Sequence, residues 1–324
     1  MKFLANKIVE YLTGFILILI MVQAASLLHD SEIILPEIAA LTVGLWIYHE
    51  ANWLDRSFNL FLLPSVTAII GFGINLLEIS YTIKICLMIA IMVFLLVVTR
   101  SALAPSLATG LLPIIVNASK YSFIIAIVVF AFIEMIVVKG RKLDQNYAKK
   151  TKLNYRAMLL FLVSSLIWVA IVTLAGKPLM AAIPPVFVVF FETLQKPMYS
   201  AEMALKQIAA LTLSALIGVL ACTVIDSNVV VALITLPLVF GVLHLLKVKI
   251  PAAYAFPLLA MIVPPAVFSG LPLSALIASS YFLGIACLYH LFKKKNNKNL
   301  KLMRSYADTI LLFRNFILPL KSKK

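Results

Sequence analysis

Arg100 and Lys247 each stand a few residues ahead of a proline, Pro105 and Pro251, in stretches that are otherwise apolar. Proline suits the first turn of a helix, where its missing N–H costs nothing. Helices beginning at Pro105 and Pro251 would present unpaired N–H groups and partial positive charge, with a basic residue at each mouth. The chemistry this offers is anion binding. Ser106, Thr109 and Asn117 add polar contacts along the first stretch, whereas the residues matching Thr109 and Asn117 in the second are Phe256 and Pro264. The first stretch is therefore expected to supply polar contacts and the second an apolar wall. The competing account takes Arg100 and Lys247 as membrane anchors and the prolines as kinks.

An ionisable group inside an apolar run is costly and so a functional suspect. Glu134 is the foremost, a proton-coupling candidate unless its carboxylate snorkels toward Lys139 at the rim. Glu37, just after Pro36, and Lys84 read as interfacial groups near span ends. Cys86, Cys222 and Cys287 lie in apolar runs without ligand spacing and read as small buried hydrophobes. His49, His244 and His290 share no ligand spacing either, so neither a metal site nor a cofactor is expected. The chain has no phosphate-binding loop, no His-Glu-x-x-His and no Gly-x-Ser-x-Gly. No catalytic cluster emerges, and an enzyme is not expected.

The elements that would position these residues occur twice. Offset by 147 residues, Ala68-Ile69-Ile70-Gly71 falls on Ala215-Leu216-Ile217-Gly218. Asp55 falls on Glu202, Ser80 on Ser227, Arg100 on Lys247, and Leu12 and Leu27 on Leu159 and Leu174. A repeat of this kind has to be read before the fold. In membrane chains, paired repeats commonly enclose a substrate path at their interface. Gly71, Gly73 and Gly218 are expected to let helices pack closely.

Of 324 residues 63% are hydrophobic and 13% charged, which excludes an ordinary soluble domain. Apolar segments of spanning length fall at about 9–28, 32–49, 58–77, 80–98 and 121–139, and again at about 157–175, 178–195, 206–225, 228–246 and 271–292. A shorter, proline-marked segment, 101–117 or 248–268, completes six per half. This predicts an all-α polytopic membrane protein of two parallel tandem repeats, one segment in each being short and proline-broken. Residues 1–138 form the first repeat, 139–156 a basic linker, 157–292 the second repeat and 293–324 a basic tail.

With six crossings per half, 25 of the 28 Lys and Arg residues share one side; only Lys84, Lys120 and Lys177 lie opposite. The positive-inside rule makes the crowded side cytoplasmic, with both termini on it, in a cell (inner or plasma) membrane. The net charge of +15 is segregated in this way rather than spread over a face, so a nucleic-acid partner is not expected. Val22-Gln23-Ala24 looks like a cleavage site, but the matching segment at 157–175 is internal, so the first segment reads as a span. In the tail, Leu302, Tyr306, Ile310, Phe313, Ile317 and Leu320 make an amphipathic stripe suited to an anionic membrane surface.

The stretch Val98-Thr99-Arg100 through Pro113, and its counterpart from Leu245 to Leu259, resemble the signature of the HPP membrane proteins. In that signature a hydrophobic-Thr-Arg motif precedes His-Pro-Pro and a small-residue run. Ile183-Pro184-Pro185-Val186, Gln195-Lys196-Pro197 and Ser214-Ala215-Leu216-Ile217-Gly218 are similar to that family's second signature. This chain has Leu103-Ala104-Pro105 and Ile250-Pro251-Ala252 at the His-Pro-Pro positions, and Leu107 and Tyr254 in place of the run's glycine. The resemblance implies tandem family-like units and membrane transport of small anions, nitrite in particular.

The function expected is thus a transporter or channel-like facilitator for a small solute, an anion by preference. The candidate contacts are Arg100, Pro105, Ser106, Thr109, Asn117, Lys247 and Pro251, and its partners are membrane lipid and the solute. Self-association stays open. So do two other classes: an aromatic-acid-type exporter, and a non-transporting scaffold acting through its basic tail.

Overall fold

A lipid core cannot satisfy backbone polar groups, so apolar runs of this length must close their own hydrogen bonds, and here they do so as helices. The computed structural model describes the backbone of residues 2–148 and 153–317, and the side chains of 9–148 and 153–294. Every regular element among them is helical, and seven helices are long and apolar enough to cross a membrane. The molecule is an all-α, multi-pass membrane protein.

The first repeat consists of α1 (Lys2–Leu27), α2 (Pro36–Thr42, running into a wider π turn, Val43–Ile47), α3 (Asn59–Asn75), α4 (Tyr81–Thr99), α5 (Pro105–Ile115) and α6 (Tyr121–Gly140). A short α7 (Leu143–Tyr147) follows in the linker. The second repeat consists of α8 (Tyr155–Leu174), α9 (Pro184–Gln195), α10 (Ala201–Val224), α11 (Asn228–Leu246) and α12 (Ala255–Ile262), the last entered through a 3-10 turn, Pro251–Tyr254. After α13 (Pro265–Phe268), α14 runs unbroken from Leu271 to Ile317. The backbone therefore continues the last span straight into the tail without turning at Lys293. The side chains of the tail's apolar stripe lie outside the described residues, as does Leu320 altogether.

The offset of 147 residues reappears in the backbone. It carries α4 onto α11 residue for residue, and the 3-10 turn Ser31–Ile33 onto Pro178–Met180. Even the turns agree. His29 and its match Gly176 both adopt positive φ, 50° and 73°, as do Arg100 (49°) and Lys247 (56°). In each case the next residue's N–H reaches back to close the helix end: Asp30 to Ala25, Lys177 to Val172, Ser101 to Leu96 and Val248 to Leu243. These are Schellman closures, which require a left-handed residue. Glycine takes that conformation freely at one of the four; the other three side chains adopt it at a cost.

Contacts at the helix ends give the direction of each repeat. Lys120 pairs with Asp30 at 3.2 Å, Glu32 accepts from the backbone N–H groups of Ser119 and Lys120, and Asn75 donates to Asn117 and Ala118. These join the α1–α2, α3–α4 and α5–α6 connections at one end. At the other end, Arg56 donates to the Thr99 carbonyl, Arg141 lies over the Trp46 ring, Lys249 lies over Tyr48, and Asn154 donates to Tyr289. Connections from both repeats share this basic end, so the repeats run in the same direction. Across the interface α1 packs on α11 as α8 packs on α4, and α2 on α12 as α9 on α5. This exchange is what a two-fold relation between the repeats requires.

One feature departs from the sequence reading. Segments 32–49 and 178–195, expected to be full spans, are short helices: α2 and α9 begin only at Pro36 and Pro184. The residues ahead, Leu35 and Ile183, are extended (ψ 94° and 91°), as residues before proline are pushed to be. Each repeat thus holds two short helices, and all four pack at the centre. The long helices surround them, with apolar stripes such as Val9, Leu12, Ile16 and Ile20, or Leu159, Val163, Ile167 and Ile171, facing outward. Hydroxyls turn inward instead and bond to carbonyls one turn back, as Thr67, Thr193, Ser214 and Thr235 do.

Candidate functional site: a cavity among four short helices

A cavity lies where the starts of the short helices meet. Pro36, Glu37 and Ala40 of α2 line it, with Pro105, Ala108 and Leu112 of α5. From the second repeat come Pro184, Pro185 and Val188 of α9, Ala252 of the turn before α12, and Ala255 and Leu259. Every one of these residues is buried. The space has room for about one water molecule. Ala108 matches Ala255 and Leu112 matches Leu259 across the repeat, so the two-fold relation passes through the cavity.

Glu37 is the charged exception in this apolar lining. It is 2% exposed, and its Oε1 has no hydrogen-bond partner among the described residues. Its counterpart is Pro184. In sequence Glu37 reads as interfacial, because the second segment has the length of a full span. With α2 starting at Pro36, the same residue occupies the second position of a short central helix. The available signal was the match between Leu35-Pro36-Glu37 and Ile183-Pro184-Pro185: two prolines that begin helices at almost the same register.

The N–H groups at these helix starts are largely spoken for. Ser106 and Leu107 donate to Leu103 and Ala104, Ile38 to Leu35, and Val186 and Phe187 both to Ile183. Prolines 36, 105, 184 and 185 have no N–H to offer. The partial charge of the helix ends remains, but not the free donors expected from the sequence.

The other sequence candidates divide. Pro105 lines the cavity; Pro251 opens the 3-10 turn beside it. Ser106 and Thr109 are buried but committed to structure: the Ser106 hydroxyl donates to Leu103, and Thr109 shares a 2.6 Å hydroxyl contact with Thr67. Asn117 sits at the end away from the basic charges, its side-chain oxygen accepting from Asn75. Arg100 and Lys247 are exposed at the ends of α4 and α11 and do not line the cavity. Glu134 does not snorkel. It is fully buried and accepts a hydrogen bond from Thr42, with the Trp46 indole facing it, although Trp46 Nε1 and Glu134 Oε2 close no bond to each other. Lys84 is satisfied locally, donating to the Asn75 carbonyl at 2.6 Å. Gly71 and Gly218 pack as expected, a Cβ there lying 2.1 Å from the Gly110 oxygen and 2.7 Å from the Pro257 Cα respectively; Gly73 faces open space.

The turn that brings Ala252 to the cavity also carries a tyrosine that meets the α2–α3 connection. Tyr254 is fully buried, and its hydroxyl lies 3.4 Å from that of Tyr48. Beyond it stands Glu50, whose carboxyl is raised by burial against the opposing pull of Lys196 and Lys249.

No family model, no curated protein and no solved structure matches this chain.

Proposed function

We propose that the protein carries a small solute, a small anion by preference, across the membrane through the cavity between its two repeats. The observation that carries this reading is the meeting of four short helix starts, two from each repeat, around one buried cavity. Short helices meeting within a repeat interface are where membrane carriers build their sites. The partial positive ends of α5 and α9 favour an anion there. The likeness of the Thr-Arg and Pro-Pro stretches to the HPP proteins supports a nitrite-like solute, and we take the chain to be a tandem relative of that family. The positive-inside rule makes the basic end cytoplasmic, in a cell (inner or plasma) membrane. The small, fully buried cavity suits a closed state in which the short helices must part to admit a solute.

Nothing in this reading asks the chain to be an enzyme. Flux of nitrite, chloride and formate into liposomes carrying the purified protein, with and without a pH gradient, tests it. Nitrite flux above that of empty liposomes is expected; none for any of the three anions would overturn it.

A further inference from the structure

We propose that Glu37 is the proton-binding group of the central cavity, and that a small anion of a weak acid occupies it and crosses together with one proton. The inference rests on the anion reading above and names what makes the site work.

Glu37 is 2% exposed and lines the cavity; its own backbone N–H faces the carboxyl, and Oε1 has no hydrogen-bond partner among the described residues. A buried carboxylate in this state must be neutralised or compensated. No cation faces it. The neighbouring α5 and α12 carry no titratable residue. On α6, Glu134 is engaged with Thr42; in the turn before α12, Tyr254 meets Tyr48. Glu192 lies in the last turn of α9, Glu10 of α1 faces His49, Tyr11 packs on Phe240, and Glu32, in the 3-10 turn before α2, is held by Ser119 and Lys120. A proton is the partner such a carboxylate can take without help from the protein.

Protonation also provides what the cavity otherwise lacks. Prolines begin the surrounding helices, and the N–H groups of Ile38, Ser106, Leu107, Val186 and Phe187 are bound to carbonyls. A protonated Glu37 would be a side-chain O–H donor aimed into the space. Ionised, the same group would set a second negative charge beside the anion. Anion and proton are therefore admitted together or not at all, and no redox or covalent step is needed.

The test is nitrite uptake into liposomes holding a trapped pH indicator, set against empty liposomes. The parent should bring in one proton with each nitrite, and uptake should fall by about tenfold per pH unit once the carboxyl is mostly ionised. Glu37→Gln keeps a donor but cannot titrate; whatever nitrite uptake it supports should bring in no proton and should not vary with pH. Glu37→Asp should keep the coupling. Proton co-entry unchanged in a folded Glu37→Gln protein would overturn the proposal. If the parent moves no anion, the transport reading fails by itself, and the proton site is then read by infrared difference spectroscopy. A protonated-carboxyl band present in the parent and absent from Glu37→Gln supports the site; a band unchanged by the substitution overturns it.

Discussion

The two repeats share a frame and differ at the centre. Gly71 and Gly218 occupy matching positions on α3 and α10, and each admits a short helix, α5 or α12, to within contact of the backbone. Left-handed closures recur at His29 and Gly176, and at Arg100 and Lys247, although the residue types differ. Polarity, by contrast, gathers in the first repeat. Glu37 faces Pro184 across the cavity, and the Thr67–Thr109 contact corresponds to Ser214 and Phe256. At the end opposite the basic charges, the ties of Asp30 and Glu32 to Lys120 and Ser119 have only Lys177, Leu179, Val267 and Ala266 in the matching places. Packing constraints act on backbone shape and so bind both copies; a solute site needs its chemistry only once.

The largest effect should come from breaking the shared frame. Gly71→Leu and Gly218→Leu drive a side chain into backbone atoms, and loss of folded protein in detergent gel filtration is expected for both. Gly73→Leu, pointing into open space, should behave as the parent does. The milder Gly71→Ala should cost about 1–3 kcal/mol of stability, the usual range for overpacking.

Next comes the asymmetry of the cavity. Moving the carboxylate to its matching position, Glu37→Gln combined with Pro184→Glu, should restore the pH dependence of uptake that Glu37→Gln alone removes. A double variant as flat with pH as the single one would mean that the two sides of the cavity are not interchangeable.

Two loop carboxyls contrast the ends of the molecule. Burial raises Glu50, so ionising it costs stability as pH climbs through its folded value. Asp30 behaves oppositely: burial pushes it up, but hydrogen bonds from Ser122 and the Glu32 N–H, with Lys120, hold it below its ordinary value. Its contribution is present above the ordinary Asp range and fades as pH falls through the lowered value. At neutral pH, Glu50→Gln should raise the melting temperature and Asp30→Asn should lower it. Both differences should shrink on acidification, and melting curves against pH would check the signs.

The smallest effect concerns the left-handed closures. Arg100→Gly and Lys247→Gly remove two exposed charges and relieve a conformation that costs a side chain about 1 kcal/mol. Each should hold or slightly raise the melting temperature while nitrite uptake persists. Abolished uptake in the folded double variant would return these residues to the solute path.

Much of the frame was legible in the sequence, because repeated apolar runs of spanning length, segregated basic residues and proline-marked breaks are local features that lipid and backbone geometry read directly. Pro105 and Pro251 marked helix starts correctly for the same reason, and the matching of Gly71 with Gly218 pointed to close packing. Side-chain roles were less legible. Ser106 and Thr109 looked free in one dimension and proved bonded to Leu103 and Thr67; Glu134 looked close to the rim and proved turned inward onto Thr42.

What the sequence by itself determined is the all-helical membrane architecture, the repeat and the common direction of its halves, since each follows from periodicity, hydropathy and the placing of charge along the chain. Only the tertiary structure decided that α2 and α9 stop short of spanning, that four helix starts share one cavity, and that Glu37 rather than Glu134 stands in it. The reason is physical. Which buried polar atom is left without a partner depends on every element packed around it, and most of those elements are distant in the chain.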